Sequence, residues 1–521
     1  MAEPPKAKRP SRSKKAPEPD FSPFEDWLID GPAGKWPRPW DTGRDLSDRQ
    51  KRIVADQATL LSDRDAWLEK VQAFEAALAG IADEARQKAT RASYHIRFDQ
   101  YNFADGLKDF TSYDFPCSVS FSRAEFGKGN VSFIEATFGE GDVSFYGATF
   151  GEGHVSFDGA TFGKGKVWFN GATFGEGDAS FVWAIFGEGD VLFIGATFGE
   201  GDVSFIGATF GEGYVSFQQA TFDEGHVWFD GATFGAGNVS FQQATFGKGT
   251  VSFIGVTFGV GDVWFTGIDF RSTTMRAPSM VVAGNLYVKS HFPEAVDFSG
   301  LDVQGTASFS GSSFDKVPDF RDAKFDRAPE VAGIVVPRPK LEGRSQRAVD
   351  HNDVAKFRKL KSMALAANDH EKDGEFFAGE MLAKRGTETK TLFGLLFNTL
   401  YWWLSDFGQS YLRPIGWLAV SYLIFAAACL YKIWPALTLS DRLWFAAEFS
   451  FRSLTPLFGS LFRFAPAPEE HVSWYQKTYK GLAHAGVEID GLIALGVAQS
   501  VIGTVLLFLL LLALRNKFRL K

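Results

Sequence analysis

The chain of 521 residues has two cysteines, Cys117 and Cys429. They lie far apart, and they form neither a disulfide framework nor a zinc-type spacing. Such usage fits a reducing compartment. The eight histidines are scattered. His370, Glu371 and Glu375 share the stretch HEKDGE. It lacks the paired histidines of HExxH, so it reads as a solvated helix face rather than a metal site. No phosphate loop of the form GxxxxGK followed by Ser or Thr occurs, and no Ser-His-Asp or Cys-His arrangement can be named. The expectation is a non-enzyme without catalytic residues, cofactor or metal. Residues 1–19 are rich in Lys, Arg, Pro and Ser, with no apolar stretch behind them as a secretory signal would have. Residues 1–46 therefore read as a disordered tail and linker.

What the chain does have is repetition. Twelve copies of a twelve-residue unit, typified by FGEGDVSFIGAT, follow one another, the first opening at Phe126 and the last at Phe258. A second phenylalanine sits seven residues into each copy, from Phe133 to Phe265. Intervals of five and seven fit neither a helical face nor one long strand. Each copy instead contains two short strands, VSF and ATF, whose apolar residues point inward and whose hydroxyls point outward. Phe133, Phe138, Phe145, Phe150, Phe193, Phe198, Phe205 and Phe210 are expected in the core. The GEG stretch is expected to turn the chain through positive φ. Fixed-period similarity of this kind means stacked units that contact only their neighbours.

These features resemble the pentapeptide-repeat family, whose unit carries a small residue two positions before a central Leu or Phe. The resemblance implies a right-handed, four-sided β-helix. Two copies, 24 residues, would complete one coil, and the β-helix would span 94–328. At roughly 4.8 Å per strand, the twelve copies would stack over about 29 Å. The family fixes no activity, because fold is not function. From Phe126 to Phe270 there are 17 acids against 4 Lys and Arg, a balance of −13; the whole chain carries −8, which leaves +5 elsewhere. The GEGD turns invite a calcium reading, but the period is wrong for secreted β-rolls, and the acids give way to Lys166, His154, Asn130 and Thr250. A solvated acidic edge, relieved by interspersed lysines, is expected.

The flanks read as helical. Residues 47–93 carry one apolar stripe, Trp67, Val71, Phe74, Leu78 and Ile81. That stripe is expected to cap the open end of the solenoid. Residues 329–344 form a linker and 345–390 a helical region. Residues 391–521 form a membrane region: an interfacial helix at 391–404, a transmembrane segment at 415–434, an outer loop at 435–490 and a second transmembrane segment at 491–514. Basic residues flank both spans, with Lys384, Arg385, Lys390 and Arg413 before them and Arg515, Lys517, Arg519 and Lys521 after. Both termini are therefore expected in the cytoplasm, at a bacterial inner membrane. The fold class is an all-β quadrilateral β-helix with flanking α-helices and a C-terminal transmembrane hairpin. The C-terminal half resembles bacterial pentapeptide-repeat membrane proteins with two spans.

Three functions compete, and the sequence favours the first, with the second as its runner-up. The first is a membrane-anchored interaction scaffold that offers an acidic rod to a cytoplasmic protein partner. The second is an oligomeric two-span channel. Its basis is that residues 443–459 lie between the spans, which resembles the pore unit of potassium-type channels. Ser453, Leu454, Thr455, Pro456 and Gly459 would form the pore loop, although the TVGYG filter is not reproduced. The third is mimicry of DNA toward a topoisomerase. The lipid bilayer is the first expected partner, a homo-oligomer is allowed, and no specific nucleic acid is expected.

Overall fold

The computed structural model describes residues 19–28, 46–104, 106–343, 346–434, 437–454, 478, 481–482 and 487–518. The chain divides after Pro337 into two units.

The first unit is a parallel β-solenoid of about 10 turns, compatible with a pentapeptide-repeat β-helix. Val131 pairs with Val155, Thr137 with Thr161, Val143 with Val167 and Thr149 with Thr173. Four short strands thus make one coil, and each residue lies over the residue 24 positions on. The alternation inside each strand explains this arrangement. Val and Phe of VSF, and Ala and Phe of ATF, are buried along the whole stack. Threonine faces outward. Burying one phenylalanine contributes about 2–3 kcal/mol. Stacked in register, the rings form columns: Phe133 over Phe157 at 4.8 Å, Phe145 over Phe169 at 4.9 Å and Phe198 over Phe222 at 4.8 Å, all within 2° of parallel. Neighbouring columns meet edge to face, as Phe133 meets Phe145. Both are favourable aromatic geometries. Once the twelve-residue unit ends, the coil shortens, as the pairs Val263–Leu286 and Val281–Asp302 show. The last bridge joins Ser313 to Val335, inside the stretch expected as a linker.

The GEG glycines serve a purpose other than the expected one. Positive φ falls mainly at the corner after the second phenylalanine, as at Gly195, while Gly199 in the next GEG is not left-handed. A Cβ on Gly199 would lie 2.2 Å from the carbonyl oxygen of Gly175 in the coil below. These glycines are needed because successive coils touch backbone to backbone there.

Three helices, α1 (Asp48–Leu61), α2 (Arg64–Ala79) and α3 (Glu84–Ala92), pack at the N-terminal end. The whole stripe from Trp67 to Ile81 is buried. The indole N–H of Trp67 donates to Asp114 O at 2.9 Å, and the Tyr113 hydroxyl donates to Leu61 O at 3.1 Å. Helices and first coils therefore share one core. Residues 22–27, expected within the tail, instead form a 3-10 helix whose Phe24 and Trp27 are buried against Phe74. Two aromatics three residues apart supply enough apolar surface to order a short segment against an existing core.

The second unit is helical: α4 (Asp353–Ala366), α5 (His370–Ala383), α6 (Leu392–Ser405), α7 (Leu412–Lys432), α8 (Leu439–Leu454) and α9 (Ile489–Phe518). Helices α7 and α9 are long and apolar enough to cross a membrane. Only 17% and 28% of their most apolar windows are buried within the chain, whereas a soluble core helix is mostly buried.

Candidate functional site

The residues that could carry function lie on the solenoid surface and in the helical hairpin. On the solenoid, the fifth position of the unit (Asp, Asn or His) closes one coil onto the next. Asp178 Oδ1 accepts the backbone N–H of Asp202 at 2.9 Å, Asp202 Oδ1 that of His226 at 2.7 Å, and His226 Nδ1 that of Thr250 at 3.1 Å. Asn238 does the same for Asp262. The carboxylates once weighed as calcium ligands are thus acceptors for amides, and this explains why Asn and His substitute for Asp. The acidic edge is relieved by lysine as expected: Lys128 pairs with Glu152 at 2.9 Å, Lys166 with Asp190 at 2.7 Å and Lys248 with Glu224 at 2.6 Å. Phe133, Phe138, Phe145, Phe150, Phe193, Phe198, Phe205 and Phe210 all lie in the stacked core, so they build the rod and present nothing to a ligand. At the corner position Glu135, Trp183, Gln219 and Gln243 replace glycine. Trp183 holds a left-handed φ of 56° where most copies have glycine, and it stands 67% exposed beside exposed Ile185.

In the hairpin, α8 packs against both long helices. Its first turns share a core with their far ends: Phe445 and Phe449 pack with Cys429, Ile433 and Leu492. Its last turns reach their middles. Ser450 Oγ donates to the carbonyl of Tyr422 at 2.8 Å, and Tyr422 is the central residue of α7. The Gln499 amide, fully buried, donates to Ser450 Oγ at 2.6 Å. Ser500 Oγ donates to Ser453 O at 2.8 Å. A Cβ on Gly503, midway along α9, would lie 2.5 Å from Leu454 O. The segment expected as an outer loop therefore contains a helix that descends between the two long ones to half their length. On its exposed side Arg452 pairs with Glu448 at 2.6 Å. Of the expected pore-loop residues, Ser453 and Leu454 end this helix, while Thr455, Pro456 and Gly459 lie outside the described residues.

A second cluster gathers near the α6–α7 turn. Arg338 grips Asp406 with both nitrogens, at 2.9 and 2.8 Å. Arg413 donates to Trp402 O at 2.8 Å, and its guanidinium lies 5.8 Å from the Trp402 ring, with that of buried Arg385 at 5.4 Å. Lys517 of α9 lies over Tyr411. No reading of the sequence singled out this group, because its members come from five separate segments.

Of the metal candidates considered in sequence, Glu375 accepts from Lys372 at 2.7 Å on the first turns of α5. Among the described residues no group of three or more His, Cys, Asp or Glu could hold an ion. The chain matches no protein-family model, no curated protein and no solved structure.

Proposed function

We propose that this protein is an oligomeric, pore-type membrane protein, with two spans, a re-entrant helix between them and the β-solenoid as its extramembrane module. The observation that carries the reading is the depth of α8. If α7 and α9 cross a bilayer, Glu448, Ser450, Arg452 and Gln499 lie toward its middle. Charged side chains facing hydrocarbon at that depth cost several kcal/mol. A water-filled axis shared by several copies, with the Glu448–Arg452 side of α8 turned toward it, removes that cost. The C-terminal end of α8 then brings the negative end of its dipole to mid-membrane, which favours a cation. The sequence Leu454–Gly459 is not a TVGYG filter, so the proposal is cation conduction without potassium-type selectivity. Basic flanks favour a solenoid on the cytoplasmic face of a bacterial inner membrane.

The test is conductance of the purified full-length protein in planar bilayers, with oligomer mass taken from the same preparation. Discrete currents from a defined oligomer, altered by Glu448→Gln, are expected. A folded, monomeric and silent protein would sink the idea. In that case a second reading stands, a membrane-anchored scaffold. It is favoured by Trp183 and Ile185, a large apolar pair exposed side by side on the rod. Loss of cytoplasmic partners from a pull-down on Trp183→Gly would support it.

A further inference from the structure

We infer that the α6–α7–α9 junction is a binding site for one anionic phospholipid. The inference rests on the membrane reading above. Between these helices lies a groove of about 300 Å³, lined by Leu404, Trp417, Ser421, Ile424, Val501 and Val505 among others. Nearly all of the lining is apolar, and the volume holds about ten methylenes at roughly 27 Å³ each, slightly less than the share of one liquid water. Ser421 Oγ is its polar exception, buried and without a hydrogen-bond partner.

The basic cluster lies at one end of this groove. Arg413 is one helical turn before Trp417, and the Trp403 ring, next to Leu404, packs at 3.9 Å from that of Trp417. Arg338 and Arg413 share the Asp406 carboxylate, while Arg385 lies over the Trp402 ring and Lys517 over the Tyr411 ring close by in sequence. Arg338 takes both oxygens of that carboxylate, and Arg413 reaches it only at 3.9 Å. Two further donors, Trp402 Nε1 and the Arg385 Nη2 that lies by the same ring, are buried with no acceptor among the described residues. Buried donors are almost always satisfied, so a surplus calls for an acceptor that the described residues do not supply. A phosphodiester provides it, and the guanidinium groups suit its geometry. Positive charge at the mouth and an apolar channel behind it match an anionic headgroup and its acyl chain.

The experiment is native mass spectrometry of the full-length protein, delipidated in detergent and titrated with phosphatidylglycerol, phosphatidylcholine or glycerol phosphate. One phosphatidylglycerol should be retained per chain, at least ten-fold in preference to phosphatidylcholine, with glycerol phosphate unable to displace it. Arg413→Gln should abolish the preference. Ser421→Phe, or Val505→Phe should the first misfold, should fill the groove and lower retention of both lipids. Equal retention of the two lipids would overturn the inference, as would displacement by glycerol phosphate, which would mark a plain anion site. Wild-type retention by both the headgroup and a groove variant would overturn it too. Resistance of the protein to carbonate extraction from membranes, measured alongside, separates failure of this site from failure of the membrane reading itself.

Discussion

Two glycines four residues apart should respond very differently to the same substitution. Gly195 sits at a corner with φ +63° and nothing within 4 Å of a Cβ added to it. Gly195→Ala should cost only the left-handed penalty, about 1 kcal/mol. Gly199 lacks that φ, but a Cβ there would meet Gly175 O at 2.2 Å, in the backbone of the preceding coil. Ordinary contact needs roughly 1 Å more, so the two coils must part locally. The parting strains the bonds from Gly199 N–H to Phe174 O, now 3.1 Å, and from Thr197 N–H to Ala172 O, now 2.9 Å, and the stack of Phe198 on Phe174, now 4.6 Å. Two backbone hydrogen bonds at about 1 kcal/mol each and one ring stack at about 1 kcal/mol give about 3 kcal/mol. Amide hydrogen exchange over residues 170–205 of the full-length protein reads this directly, because a solenoid opens locally rather than all at once. Protection should fall about five-fold in Gly195→Ala and about a hundred-fold in Gly199→Ala. Equal losses would refute backbone contact as the reason for the GEG motif.

Other outcomes follow from the same geometry. Phe205→Ala breaks stacks with both Phe181 and Phe229, at 4.8 and 4.9 Å; a cost of about 3–5 kcal/mol should appear as exchange in all three coils, and loss confined to one coil would contradict column packing. Burial and the neighbouring Arg97 guanidinium hold the His95 imidazole well below its usual range. The folded protein therefore refuses a proton that the unfolded chain accepts, so this stabilisation is whole above about pH 6.5 and lost as pH falls. Exchange at Tyr94–Phe98 should rise on acidification, and His95→Gln should flatten that part of the profile while leaving any contribution from buried Asp99. The Cys117 thiol is buried, and its pKa is pushed up by that burial. In Cys429→Ala protein it should resist alkylation at pH 8 until the chain is unfolded, whereas labelling of the native protein would show that the first coils open.

The solenoid was legible because its information is local and repeated. Val, Ser and Phe in VSF alternate with the period of a strand, and twelve copies average out any single exception. The 24-residue coil came from the resemblance to the pentapeptide-repeat family, whose four-sided coil takes two twelve-residue copies. The reason for GEG was not legible, since backbone contact between coils and positive φ both select glycine. Only geometry separates Gly199 from Gly195. The order of Phe24 and Trp27 was missed for a related reason. The surrounding Pro and Lys suggest a tail, and their burial depends on Phe74, fifty residues away in the chain.

The hairpin shows where reading along a sequence fails. A hydropathy window across 439–454 meets Asp441, Arg442, Glu448 and Arg452, and so reads an outer loop. Two features let α8 pack between the long helices, and neither shows in a hydropathy average. Glu448 and Arg452 neutralise each other across one helical turn. Ser450 finds its partners at Tyr422 and at Gln499, 49 residues on, so that polar groups costly in hydrocarbon satisfy one another between helices. Gly503 lacks the side chain that would meet Leu454 O of α8, and Gly496 lies against Phe449 and Ser453 in the same way. The contacts of Ser450 and Gly503 acquire meaning only from a residue on another helix. The same holds for Arg385, Arg413 and Lys517, which read in sequence as positive flanks and in three dimensions surround Trp402 and the neighbouring turn. Charge near a span thus orients it when counted along the chain, and marks a site when it converges in space on donors that lack an acceptor.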